Sequence, residues 1–149
     1  MLEIPSLLEP LFRAAGWQGP KKSFFENPPV SAQAIASHIL DEFGGLLVGS
    51  SEPGTEMIAS NVRFYKHIRL DQSVIVQPWE RQIGKVAAFA SAHDEYMVLF
   101  AGANGSFYVF TDPDEQLYVG PQDFGELMRR LLWGYPYGPT IPKDAHLSS

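Results

Sequence analysis

Four histidines and a few crowded carboxylates are the residues of this chain whose types could do chemistry. His38, His67, His93 and His146 lie far apart in sequence, none within metal-ligand spacing of another, and no His-Glu-x-x-His occurs. His38 projects from the polar side of its expected helix and His67 from the polar side of its expected strand, the ordinary places for surface histidines. His93-Asp94-Glu95 sets an imidazole beside two carboxylates, which could serve general acid/base chemistry. Adjacent residues of an extended turn point in different directions, however, so a solvated loop before a strand is the expectation. Asp112, Asp114 and Glu115 crowd three carboxylates into one turn. A calcium loop would need alternating ligands and a closing bidentate glutamate, which are missing. The turn chemistry of Asp-Pro-Asp accounts for the cluster, and an acidic patch facing a partner is its functional alternative. Gly102-Ala103-Asn104-Gly105 is no phosphate loop, because a strand rather than a helix follows it. Cysteine is absent, which removes thiolate metal sites, cysteine nucleophiles and disulfides, and is compatible with a reducing cytosol. No catalytic, cofactor-binding or metal-binding set emerges.

The bulk properties narrow the classes further. The chain has 149 residues, the length of one ordinary domain with a full core, and 45% of them are hydrophobic and 19% charged. Met1-Leu2-Glu3-Ile4-Pro5 lacks the basic and apolar regions of a signal peptide, and no stretch approaches the roughly 20 apolar residues of a membrane span, so a cytoplasmic protein is expected. A net charge of −6 argues against nucleic acid as a ligand. The charge is uneven: 8 acids and 3 bases lie from Asp94 onward, against 9 acids and 8 bases before it. An acidic second half serves solubility or presents a face to a basic partner.

The elements that must position these residues centre on Tyr96 to Val119. Two runs of β-branched and aromatic residues flank Asn104-Gly105, the hairpin signal of a two-residue type I′ turn. That turn sets Leu99 opposite Phe110 and Phe100 opposite Val109, with both faces apolar, as in the middle of a sheet. A first helix is expected over Ser6 to Ala15, with Leu7, Leu8, Leu11 and Phe12 on one stripe, though Pro10 moves its start toward Glu9. Ser31 caps a second helix to about Phe43, with Gly44 taking the left-handed cap. Short strands are expected at Leu46 to Val48, Val62 to Ile68 with one wet side, Ile83 to Phe89 after a turn at Trp79-Glu80-Arg81, and Gln116 to Val119. Ser73 to Gln77 is a further, weaker strand candidate. Pro121 suits the first position of a third helix, in which Phe124, Leu127, Met128, Leu131 and Leu132 form the best helical stripe of the chain and Gly134 the stop. Trp133 lies about half a turn from that stripe. It either packs on Pro136 and Tyr137 or stands at a binding surface. The tail, 135–149, carries Pro136, Pro139 and Pro142 and reads as extended. The fold class is therefore α+β: one domain, 1–149, with a mostly antiparallel sheet and flanking helices.

Leu11-Phe12-Arg13-Ala14-Ala15-Gly16-Trp17, then Phe43-Gly44-Gly45-Leu46 after a helix, then Leu117-Tyr118-Val119-Gly120 and a closing helix Phe124 to Trp133 with Gly134, occur in this order. Together they resemble the third group of the SUKH superfamily, which includes immunity proteins of bacterial polymorphic toxin systems. The resemblance covers about 7–134. It departs at Gly19-Pro20-Lys21-Lys22, where an arginine is often found; a lysine keeps the charge without the bidentate geometry. The resemblance implies a non-enzymatic α+β protein without cofactor that binds and neutralises a cognate toxin domain, often a nuclease or nucleic-acid deaminase. The alternative within the same superfamily is a regulatory or scaffolding protein-binding module. Negative charge suits an inhibitor of a nuclease, which must be positive where it grips phosphate. The expected partner-binding surface combines Asp94, Glu95, Asp112, Asp114 and Glu115 with the aromatic residues Trp133, Tyr135 and Tyr137.

Overall fold

A computed structural model describes residues 3–19, 31–49, 61–93, 95–112 and 114–143. Lys21 and Lys22, Asp94 and the end of the tail lie outside the described residues. Six strands form one antiparallel sheet in sequential order: β1 (Leu47–Val48), β2 (Val62–Arg69), β3 (Val86–Ala92), β4 (Met97–Gly102), β5 (Phe107–Thr111) and β6 (Gln116–Val119). Among the described residues four α-helical segments accompany it: α1 (Glu9–Ala14), α2 (Ala32–Phe43), α3 (Glu80–Ile83) and α4 (Phe124–Trp133). The class is α+β, with every neighbouring strand pair antiparallel.

Helices α1, α2 and α4 segregate to one face. Leu8 and Phe12 of the first helical region, Ile35, Ala36, Ile39 and Phe43 of α2, and Phe124, Leu127, Met128, Leu131 and Leu132 of α4 pack onto Phe64, Phe89, Leu99, Phe107 and Val109 of the sheet. The α4 stripe read from the sequence is thus the docked face, and Gly134 closes the helix in the left-handed region at φ 76°. Ser31 caps α2 as expected, its hydroxyl accepting from the Ala34 amide at 3.1 Å. Helix α1 begins at Glu9, where Pro10 falls in the first turn and forfeits no helical hydrogen bond. Leu7 consequently lies outside the helix and is 68% exposed, not part of the stripe.

Among the described residues the second face carries no long α-helix. It is covered by a 3-10 segment, Leu70–Trp79, followed by α3. Val76, Trp79 and Ile83 pack there on Tyr65, Ala88, Phe100, Phe110 and Leu117. Strand β2 therefore departs from the one-side-wet reading, since Tyr65 is buried beneath this segment. The register between β2 and β3 also shifts between Phe64 and Arg69, which re-aims the side chains beyond Phe64. Strand β3 begins at Val86 rather than Ile83, because Glu80–Ile83 is a helical turn ended by Gly84 at φ 69°.

Three further local expectations give way. The β4–β5 turn is a three-residue 3-10 turn, Ala103–Gly105, and Leu99 pairs with Val109, Phe100 with Tyr108 and Val98 with Phe110. Gly105 alone supplies a left-handed residue, at φ 83°, and Gly102 donates to Ser106 across the turn at 2.8 Å. An Asn-Gly pair serves a type I turn followed by a left-handed glycine as well as it serves a type I′ turn, and the longer loop moves the register by one. After α2, Gly45 rather than Gly44 takes positive φ, at 83°. Gly44 still closes the helix onto the Leu40 carbonyl, and the reversal comes one residue later, where the Gly45 amide donates to Phe64 and Tyr65 on β2. Helix α4 starts at Phe124, not at Pro121. Gly120 is still bonded to the sheet, its amide donating to Phe107 at 2.8 Å, so the chain needs residues 121–123 to leave the strand.

The tail closes one sheet edge. Thr140 bridges Tyr118, Val119 donates to Pro139 and Ile141 donates to Leu117, both at 2.8 Å. The extended tail read from its prolines thus runs beside β6 and satisfies that strand's outer groups.

Candidate functional site: the acidic turn end of the sheet

Strand order decides which carboxylates meet. In a sequential antiparallel sheet, the β3–β4 and β5–β6 turns emerge at the same end. Glu95 lies in the first, and Asp112, Asp114 and Glu115 in the second. The turns touch directly, the Asp112 amide donating to the Tyr96 carbonyl at 2.8 Å. Glu95, Asp112, Asp114 and Glu115 are all exposed. Two of them sit on turn residues of positive φ, Glu95 at 73° and Glu115 at 53°, which a side chain tolerates at a cost of order 1 kcal/mol. Within the β5–β6 turn the Thr111 hydroxyl donates to Asp114 Oδ1 at 2.6 Å and fixes that carboxylate. Lys143 of the tail approaches Glu115 at 3.9 Å, a loose, exposed pair of little energetic weight.

The aromatic residues divide. Tyr137 is half-buried and meets Tyr118 edge-on, with centroids 5.2 Å apart. Burial raises the pKa of its hydroxyl, and Tyr118 and the Asp114 carboxylate add to the rise, so Tyr137 lies within electrostatic reach of the acidic turn. Trp133, half a turn from the α4 stripe, is nevertheless half-buried and packs against the edge of the helix-covered core. Tyr135 is 47% exposed, with the Arg129 guanidinium 4.8 Å above its ring. Arg129 and Arg130 in turn grip Glu126 at 2.6 and 3.0 Å, and these two guanidinium groups hold the Glu126 carboxyl down to about 2.

Beside the acidic turns a cleft of about 280 Å³ opens between the 3-10 segment and the second face. Its lining includes Tyr65, Arg69, Ser91, Glu95, Tyr96 and Asp112. Sequence reasoning missed four of these. Tyr96, 56% exposed, was legible by its place after His93-Asp94-Glu95. Tyr65, Arg69 and Ser91 come to the cleft through the β2 register shift and the irregular 3-10 cover, for which the sequence has no periodic signal. A larger groove, about 630 Å³, lies between the start of α2 and the 3-10 segment; it is mostly apolar.

Among the described residues, no group of three or more His, Asp or Glu side chains could hold a metal ion. No described helix is long and apolar enough to cross a membrane. The His93 ring stands 6.3 Å from that of Tyr96, at the turn rather than inside the cleft lining.

Comparison with known families adds one match. The SUKH-3 immunity protein family matches residues 8–134. The chain belongs to this family. No curated protein and no solved structure matches it. Membership in the SUKH-3 immunity proteins accords with the α+β class and covers the sheet and α1 to α4, leaving residues 1–7 and the tail beyond Gly134 outside the match. It assigns the chain an immunity role, hence a toxin protein as its partner.

Proposed function

We propose that this SUKH-3 protein is a non-catalytic cytoplasmic inhibitor that binds a basic toxin domain, a nuclease or a nucleic-acid deaminase, through the acidic turn end of its sheet. The surface comprises Asp94, Glu95, Asp112, Asp114 and Glu115, with Trp133, Tyr135 and Tyr137 as aromatic anchors. The observation that carries the reading is the meeting of the two acidic turns at Asp112 and Tyr96. Carboxylates far apart in sequence form one exposed negative end on a family fold that neutralises toxins. An enzyme that grips phosphate must be positive there, so a negative end competes for the surface the substrate needs. Charges at an interface rim steer encounter, whereas packed aromatics slow dissociation.

The test is titration against the toxin domain encoded beside the gene, at low and high salt. Replacing Glu95, Asp112, Asp114 and Glu115 by their amides slows association and flattens its salt dependence. Replacing a true aromatic anchor by alanine costs about 2 kcal/mol or more, mainly through faster dissociation. Unchanged affinity in both sets moves the interface elsewhere and leaves the immunity role intact. Failure of the wild-type protein to protect cells expressing that toxin overturns neutralisation of that toxin and favours a regulatory or scaffolding module.

A further inference from the structure

We propose that the cleft beneath Tyr96 is a receptor pocket for one basic side chain, arginine or lysine, presented by the protein partner. The proposal rests on partner binding at this end of the molecule and specifies what enters it.

The register builds the floor. Ser91 pairs with Val98, and Val98 with Phe110, so these three side chains form one row across β3, β4 and β5. Ser91 is 4% exposed, and its hydroxyl has no hydrogen-bond partner among the described residues. A buried hydroxyl without a partner is unfavourable, and here it lines an open cleft. One wall is Tyr65, with the Arg69 guanidinium stacked 4.1 Å from its ring centroid. The rim holds Glu95 and Asp112, neither of them in an ion pair among the described residues, and the exposed ring of Tyr96.

These features select the occupant. Among the described lining residues carboxylates outnumber cations by two to one, and the one cation, Arg69, is already seated on an aromatic ring. An acidic side chain would meet Glu95 and Asp112. A purely apolar one would leave the hydrogen bond of the already buried Ser91 hydroxyl unmade. A basic side chain answers each feature: its methylene stem lies against Val98, Phe110 and the Tyr96 ring, its charge sits between the carboxylates, and an N–H at its tip donates to Ser91 Oγ. Tyr96 adds a cation–π face. The cleft thus converts the long-range attraction of the acidic turns into one defined anchor.

The experiment uses the full chain, isotopically labelled for backbone amide NMR, and the probe acetyl-Gly-Arg-Gly-amide. Its citrulline counterpart has the same shape without the charge. The arginine peptide is expected to give saturable shifts centred on Ser91, Glu95, Tyr96 and Asp112, and the citrulline peptide to bind about tenfold more weakly or worse. The E95Q/D112N protein should lose the preference, and S91A should weaken binding of the arginine peptide while keeping it. Equal binding of the two peptides, shifts centred elsewhere, or no saturable shift up to the solubility limit each overturn the proposal. The toxin takes no part in this measurement. Peptide failure with cell protection intact removes the pocket alone, and failed protection with peptide binding intact removes the toxin reading alone.

Discussion

The two faces of the sheet are covered in different ways. On the first, helices with regular apolar stripes enclose a continuous aromatic network. Phe43 stacks on Phe124 at 5.3 Å, Phe12 meets Phe43 edge-on at 5.4 Å, and Phe107 meets Phe89 edge-on at 6.0 Å. On the second, a 3-10 segment, one helical turn and the tail lie over a smaller cluster. Trp79 meets Phe110 edge-on at 6.0 Å, and its indole N–H donates to the Ile141 carbonyl at 2.6 Å. The Gln82 amide donates to the neighbouring Pro142 carbonyl. A helix hides its own backbone and can seal a face; a 3-10 run has poorer hydrogen-bond geometry and leaves gaps. The helix-covered face is therefore the source of stability. The irregular face keeps the cleft, and the proposed recognition site opens on it.

The largest effect should come from the centre of the first face. Phe124 is 1% exposed and touches the rings of Phe43, Phe64, Phe89 and Phe107. Phe124→Ala should destabilise by about 3–5 kcal/mol in chemical denaturation. Leu131, 2% exposed on the same stripe, should cost about 2–5 kcal/mol on replacement by alanine. A loss well under 1 kcal/mol at either position would mean that α4 does not carry the first face.

On the second face Trp79→Phe keeps an aromatic ring but removes the donor to Ile141. An unsatisfied carbonyl at that depth costs about 1–3 kcal/mol. The tail, held here by Trp79, Gln82 and its bonds to β6, should then become cleavable by protease before the domain unfolds. Simultaneous loss of tail and core would show that the two faces unfold as one unit and erase the contrast between them.

Legibility follows the same division. The first face was readable because 3.6-residue periodicity, a serine cap at Ser31 and a left-handed stop at Gly134 are local signals. The family fold followed from short motifs at helix ends, and the acidic turns from their composition. The second face was not readable. Leu70–Trp79 has no helical or strand period, so the strand candidate Ser73 to Gln77 gives way to a 3-10 segment, and Tyr65 looked wet because its cover is non-periodic. The hairpin illustrates a finer limit: Asn104-Gly105 located the turn between β4 and β5, but two loop lengths compete for that pair, and the longer one won by a single residue of register. Ser91 carried no signal at all, since an unpartnered hydroxyl exists only once the three strands are in register.

The smallest effects are those of pH, and they separate the faces at opposite ends of the scale. Glu126 belongs to α4 on the first face, and the hydrogen bonds from Arg129 and Arg130 lower its carboxyl from 4.5 to about 2. A depressed carboxyl contributes stability that is present above its unfolded value and lost as pH falls through the folded one, so the loss runs from about 4.5 down to about 2. E126Q should flatten that acid limb and leave the alkaline limb alone. Tyr65 belongs to the second face. Burial raises its hydroxyl above 10.0; Arg69 opposes the rise, and Glu95 and Asp71 reinforce it. A raised phenol contributes stability that is full below its unfolded value and lost as pH climbs from there through the folded value. Tyr65→Phe retains the ring beneath the Arg69 guanidinium and removes the titrating group, so its alkaline limb above pH 10.0 should be shallower than that of the wild type. Tyr137, raised mainly by burial on the first face, supplies a parallel control through Tyr137→Phe. The measurement is denaturant unfolding across both limbs, with tail release followed in parallel. If Tyr65→Phe leaves the alkaline limb unchanged while Tyr137→Phe flattens it, alkaline sensitivity belongs to the tail contact with Tyr118, and the second face would be better sealed than its cleft implies.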